Sequence, residues 1–259
     1  MTQTQTQRLL YMIDYLIHER ADQEEIAVPS DEAARKQLLR ALMNLRPPKP
    51  VSKEFLTVQD AYLQQESRQK GIVTLSDLEP VAEGIYLWQG DITRLRVDAI
   101  VNAANSALLG CFVPCHGCID NAIHSAAGVQ LRLECARIMN RQKTQEPTGK
   151  AKLTKAYNLP SRYVLHTVGP IIYEKVTEDD CALLADCYRS CLELAAAHQL
   201  KSIAFCCIST GEFRFPNQKA AEIAIETVQK VQQERHSKME VVFNVFKDED
   251  AQIYKRLLR

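Results

Sequence analysis

The chain has 259 residues, room for one full domain with an appendage or for two modest domains. Its hydrophobic content of 46% and charged content of 25% are those of a soluble globular protein. Lys+Arg and Asp+Glu balance at 32 each, so no global field recruits nucleic acid or an anionic membrane.

The opening Met1-Thr2-Gln3-Thr4-Gln5-Thr6-Gln7-Arg8 lacks a cationic start followed by an apolar block, and no signal peptide is expected. No apolar run approaches the length of a membrane span. Nine cysteines make an odd count, and Cys181, Cys187, Cys191, Cys206 and Cys207 sit inside apolar segments. That usage points to a reducing cytoplasm and against a disulfide framework.

Residues 1–80 read as a helical extension. Leu9, Leu10, Met12, Ile13, Leu16 and Ile17 form one stripe at helical spacing. Pro29-Ser30-Asp31-Glu32 is a helix start with Ser30 as its cap. Leu38, Leu39, Leu42, Met43 and Leu45 give that helix its apolar face until Pro47, Pro48 and Pro50 stop it. Ser52 caps a third helix with Phe55, Val58, Tyr62 and Leu63 inside. No chemical motif stands out in the extension, which reads as a packing or lid element.

From residue 81 onward the texture is that of a second domain, with short β-rich runs alternating with helices. Ile85–Trp88 is a strand, Gly90-Asp91-Ile92-Thr93 a turn, and Val97–Val101 a strand buried on both faces that ends in Asn102-Ala103-Ala104-Asn105. A Gly/Pro-rich loop follows, Gly110-Cys111-Phe112-Val113-Pro114-Cys115-His116-Gly117-Cys118. Thiolate and neutral imidazole are the donors zinc prefers, and Cys111, His116 and Cys118 converge on one ion if this loop folds back on itself. Cys115 is an alternative to Cys111, and packing of the cysteines in a core is the competing reading. Three ligands on one loop leave a fourth position open, as in catalytic zinc sites.

Ile119–Ala127 and Leu131–Asn140 read as helices. Tyr163–Val168 is a strand, Asp179–His198 a long helix, and Ser202–Ile208 a strand running into Ser209-Thr210-Gly211. Pro216 opens the next helix, Val241–Phe246 is the last strand, and Asp248 caps a closing helix. Strands alternating with helices predict an α/β fold of three α/β/α layers around a mixed, largely parallel sheet, with ligands at the carboxyl ends of the strands.

Gly90-Asp91-Ile92-Thr93, Val97–Asn105, Ile119-Asp120-Asn121-Ala122-Ile123-His124 with Ala126-Ala127-Gly128, His166-Thr167-Val168-Gly169-Pro170 and Ser209-Thr210-Gly211 together resemble a macrodomain, the ADP-ribose-binding fold, over residues 84–258. The Cys/His loop stands where most macrodomains carry glycines. With Ser209–Phe215 and the helical extension, it resembles the zinc-dependent bacterial and fungal subclass of protein-ADP-ribose hydrolases, often linked to sirtuin-type ADP-ribosyltransferases. The resemblance implies that Asp91 accepts from the adenine amino group, with the Ile92 amide beside it and Phe246 flanking the ring. Ser209, Thr210, Gly211, Glu212 and Phe213 match the diphosphate loop, Asn105 the amide holding the distal ribose, and Asn121 a further substrate contact. Asp120 and His124 match polar positions of hydrolytic macrodomains, and with Asn105 form the implied catalytic set.

The resemblance thus implies a zinc-dependent hydrolase releasing mono-ADP-ribose from modified protein, with an Asp- or Glu-linked substrate expected because an acyl-linked leaving group needs no strong general acid. A reader of ADP-ribose with a structural zinc is the main alternative. Deacetylation of O-acetyl-ADP-ribose is another, and the neutral composition argues against a nucleic-acid module.

Overall fold

The computed structural model describes residues 3–20 and 26–259. Residues 1, 2 and 21–25 lie outside them, and with them part of the predicted helical extension and of the stretch read for a signal peptide.

Three helices lead the chain: α1 (Gln5–His18), α2 (Glu32–Leu45) and α3 (Lys53–Lys70). A capping box of Thr4 with Gln7 starts α1, whose Leu9, Met12, Ile13 and Leu16 are buried, while Leu10 is pushed to the surface. The cap of α2 is Asp31 rather than Ser30. Its carboxylate accepts from the Ala34 amide at 2.8 Å, and Leu45 at the other end is exposed. Ser52 caps α3 as expected, accepting from the Phe55 amide at 3.0 Å, and Gly71 at φ 82° ends it. Phe55, Val58 and Tyr62 close a small core with α1 and α2 that is separate from the main one.

The strands are β1 (Val73–Thr74), β2 (Pro80–Ala82), β3 (Ile85–Gln89), β4 (Leu95–Arg96), β5 (Ala99–Ala103), β6 (Ala151–Lys155), β7 (Tyr163–Thr167), β8 (Ser202–Phe205) and β9 (Glu240–Val245). β1 and β4 form a minor parallel pair, and the main sheet runs β2-β3-β9-β8-β5-β7-β6. Its five inner strands are parallel, with β2 and β6 antiparallel at the two edges. The remaining helices are α4 (Ile119–Ala127), α5 (Val129–Gln142), α6 (Glu178–Ala197), α7 (Asn217–Glu234) and α8 (Asp248–Leu257). α6, α7 and α8 pack side by side in one layer, whereas α4 and α5 belong to the other, backed by α2 and α3. The expected α/β/α architecture with a mixed, largely parallel sheet is therefore present. No helix among the described residues is long and apolar enough to cross a membrane.

One departure bears on function. The strand expected over Val97–Val101 spans Ala99–Ala103, so Asn102 lies inside it and is fully buried. A buried polar side chain in an apolar strand reads as the strand's end, hence the shift. β6 was not expected, since Ala-Lys-Leu-Thr-Lys has no apolar run, and its lysines suit an edge strand. Pro216 and Asp248 each sit one position from their expected place: Pro216 caps α7 from outside, and Asp248 is the first residue of α8.

Candidate active site

Because β3, β9, β8, β5 and β7 are parallel, their carboxyl ends share one edge of the sheet. The loops leaving that edge enclose a cleft of about 830 Å³. That is the size of a site for a large small-molecule ligand.

At one end, the loop after β3 places Asp91 over a short 3-10 turn, Ile92–Arg94. One carboxylate oxygen of Asp91 accepts from the Thr93 amide (3.0 Å) and hydroxyl (2.6 Å), which fixes the side chain. Its other oxygen lies 4.0 Å from Lys70 Nζ and is turned outward. Ile92 lines the same end, and Phe246, leaving β9, stands 75% exposed at the mouth.

The loop after β8 is held open by two residues in the left-handed region, Ser209 at φ 65° and Arg214 at φ 59°. The Phe215 amide donates back to the Ser209 carbonyl at 3.0 Å, and the Ile172 amide donates to Phe213 at 2.9 Å. Thr210, Gly211, Glu212 and Phe213 line the cleft ahead of α7, where helix-terminal amides suit an anion. Gly169 makes the close approach possible: a Cβ there would fall 2.0 Å from Ser209 Oγ. A Cβ at Gly211, by contrast, would meet nothing within 4 Å of protein.

The far end is built from the loop after β5. Asn105 donates to the Gly110 carbonyl (3.2 Å) and to Asp120 (3.3 Å), and accepts from the Ala107 amide at 3.0 Å, so it staples the base of the Cys/His loop to α4. Asp120 borders the cleft with only 5% of its surface exposed. Burial pushes its carboxyl up to about 6, against the opposing pull of Asn102 and Arg132.

The donor atoms of Cys111, His116 and Cys118 all lie within 4.8 Å of one another. His116 Nδ1 is buried without a hydrogen-bond partner, and His116 Nε2 faces Glu212 at 3.5 Å across the cleft. A histidine with an orphaned ring nitrogen, clustered with two half-buried thiols, is the donor set of a soft N/S cation site, so the residues fit zinc. Burial and the neighbouring Cys111 push the Cys118 thiol up to about 11, so a cation arriving there would displace protons. Cys115 is not in the cluster. It is exposed, adopts φ 53°, and points its thiol at the Gln37 carbonyl (3.3 Å). Core packing describes Cys135, Cys187, Cys191 and Cys206, but not these loop cysteines.

Two residues expected at the site are not in the cleft. His124 is packed behind Asp120, its Nε2 3.5 Å from a carboxylate oxygen, and burial drives its pKa well below the usual range. The ring sits on Gly110, whose Cβ would fall 2.8 Å away, so His124 supports the site from within and does not line the cleft. Asn121 is wholly buried. Its carbonyl oxygen accepts from Arg40 (2.7 and 2.9 Å) and its amide donates to Val113. A helix residue one position after Asp120 points along a different face, and that takes Asn121 out of the cleft.

Arg40, on α2, lines the cleft and was not expected, because a single arginine on an amphipathic helix gives no signal. Asn102 was missed for the reason given above, although its amide reaches both Asp120 (2.8 Å) and His166 (3.1 Å).

A family model described as Macro domain matches residues 101–224. A protein-ADP-ribose hydrolase of Treponema medium is 56% identical over 259 residues, covering 98% of this chain and 99% of its own. A protein-ADP-ribose hydrolase of Staphylococcus aureus is 51% identical over 253 residues, covering 96% and 94%. Among solved structures, a Trypanosoma brucei macrodomain in complex with ADP-ribose superposes with a TM-score of 0.67 at 33% identity, covering 85% of this chain and 95% of its own.

Proposed function

The chain belongs to the macrodomain family, and on that premise we propose that it is a protein-ADP-ribosyl hydrolase that uses zinc to remove mono-ADP-ribose from Asp or Glu side chains. One observation carries the reading: the Cys111/His116/Cys118 cluster and the buried Asp120 border one cleft, with the anchored Asp91 at its opposite end. ADP-ribose has the matching polarity, a base at one end and a reactive ribose at the other.

In this reading Asp91 accepts from the adenine amino group through its outward oxygen, and Phe246 covers the ring. The Ser209–Phe213 amides take the diphosphate. The distal ribose then lies against the Cys/His loop, where Asn105 keeps the loop and Asp120 in register. Asp120, drawn toward neutrality by burial, accepts a proton from the attacking water. Cys111, His116 and Cys118 would hold the zinc, which would supply Lewis acidity and lower the pKa of a water towards roughly 7. An ester-linked carboxylate leaves without strong protonation, which favours Asp- and Glu-linked substrates over Arg- or Ser-linked ones. The modification would come from an ADP-ribosyltransferase of the sirtuin type, as the subclass resemblance implies.

Metal analysis of the purified protein, paired with release of ADP-ribose from an Asp/Glu-modified protein with and without chelator, tests the proposal. About one zinc per chain and chelator-sensitive turnover are expected. Tight ADP-ribose binding with no turnover at full zinc occupancy would leave a reader, and turnover that survives chelation would remove the metal from the chemistry.

A further inference from the structure

The N-terminal helices do more than pack. Arg40 of α2 forks onto the metal loop and α4 together: its Nη2 donates to the His116 carbonyl at 3.0 Å, and its Nε and Nη2 donate to Asn121 Oδ1 at 2.9 and 2.7 Å. One turn on, the carbonyl oxygen of the buried Asn44 accepts from the Cys115 amide at 2.9 Å, while its amide donates to Ser125 at 3.0 Å. Cys115 sits at φ 53°, a strained value for a residue with a side chain, and the Asn44 contact holds the backbone there. The first limb of the same loop is tied to α2 from below. Arg132 donates to the Leu109 and Cys111 carbonyls and also to the Met43, Asn44 and Arg46 carbonyls at the end of α2. Both limbs of the loop carrying Cys111, His116 and Cys118 are therefore fastened to one helix outside the α/β layers.

We propose that α2 is an integral part of the site, with Arg40 and Asn44 as positioning residues that hold the 113–118 limb so that the three donors converge. The inference rests on reading that cluster as a metal site. The loop has no regular structure of its own between Asn105 and α4, and its His116 carbonyl and Cys115 amide would otherwise turn to water. Three donors from a free loop must be ordered at the moment of binding; three donors on a clamped loop are ordered in advance.

The test compares Arg40→Ala and Asn44→Ala with the parent and with Arg8→Ala, which removes an α1–α3 contact to Gln65 far from the loop. Zinc affinity is read by competition with a chromophoric chelator. In metal-free protein, the rate of Cys118 alkylation by iodoacetamide is read by peptide mapping. Both α2 variants should lose roughly tenfold or more in zinc affinity and alkylate Cys118 faster, while Arg8→Ala matches the parent. If Arg40→Ala does not fold, Arg40→Lys carries the test, since a lysine cannot bridge Asn121 and His116 in fork geometry. A parent that binds no zinc rejects the metal reading, and the alkylation rates alone then decide the positioning one. Parent-like zinc affinity and alkylation in folded Arg40→Ala and Asn44→Ala would overturn the proposal.

Discussion

Asn102 donates to Asp120 Oδ1 at 2.8 Å, and both side chains are buried. The same amide reaches His166 Nδ1 at 3.1 Å, which makes that nitrogen the acceptor and puts the His166 proton on Nε2, facing Thr154 Oγ1 at 2.9 Å. Asp120 is thus aimed by a chain of neutral groups rooted in β5, β6 and β7.

Asn102→Ala leaves a buried carboxylate oxygen and a buried imidazole nitrogen without a donor. A stability loss of about 1–3 kcal/mol is expected in urea unfolding. Turnover should fall because Asp120 is no longer held against the cleft, whereas ADP-ribose affinity, which the proposed function sets at Asp91 and the Ser209 loop, should change little. A parent-like turnover number in the folded variant would show that Asp120 needs no such support.

This chain of groups also marks the limit of what the residues reveal in one dimension. The layers, the strand ends and the Cys/His cluster are legible because periodicity, Gly/Pro loops and donor chemistry are local signals. The metal loop could be read as a ligand set, yet the choice between Cys111 and Cys115 depends on a backbone reversal at Cys115 that spacing does not encode. Asn102 hides in a strand, His124 lies behind the site instead of in it, and Arg40 arrives from a helix more than seventy residues upstream of His116. Contacts of that separation are tertiary facts.

Gly169 and Ser209 belong to different strand ends and meet at close range. Gly169→Ala would press a methyl group onto Ser209 Oγ and to 2.9 Å from Ile208 Cγ2, so both side chains must move, and Ser209 Cβ, 3.3 Å away, with them. Calorimetry should show ADP-ribose binding weakened by about tenfold or more, the scale of one lost charge-assisted hydrogen bond. AMP or adenosine, which lack the diphosphate that the proposed function places on this loop, should be affected less. Equal losses for all three ligands would mean that the substitution disturbs the sheet rather than the loop.

His166 sets a pH dependence of stability. Burial lowers its pKa from 6.5 to about 3, and the buried His124 shifts the same way. The unfolded chain therefore binds protons that the folded chain refuses. This stabilising contribution is complete above about pH 6.5 and is lost progressively as the pH falls toward 3. In urea unfolding with chelator present, the parent should lose more stability between pH 7.5 and 5 than His166→Gln does. Asp120 titrates in both proteins and cancels in the difference. Parallel curves for the two proteins would show that His166 is not held neutral.

The Cys/His loop gives the sharpest discrimination, because its thiols differ in orientation within eight residues. Cys115→Ala should retain zinc, since its thiol faces the Gln37 carbonyl, while Cys118→Ala should lose it together with the cap on the Asn121 amide. His116→Ala separates chemistry from architecture. Asp91 and the Ser209 loop lie on other strand ends, so the variant should fold and still bind ADP-ribose. If the zinc serves the reaction, de-ADP-ribosylation is abolished with a melting temperature close to the parent's. If it serves the fold, melting temperature and ADP-ribose affinity fall together and activity is lost only in consequence. Melting temperature, ligand affinity and hydrolysis rate measured on this one variant distinguish the two. The expected result is a protein that binds and does not turn over; hydrolysis at the parent rate would overturn the catalytic role of the cluster.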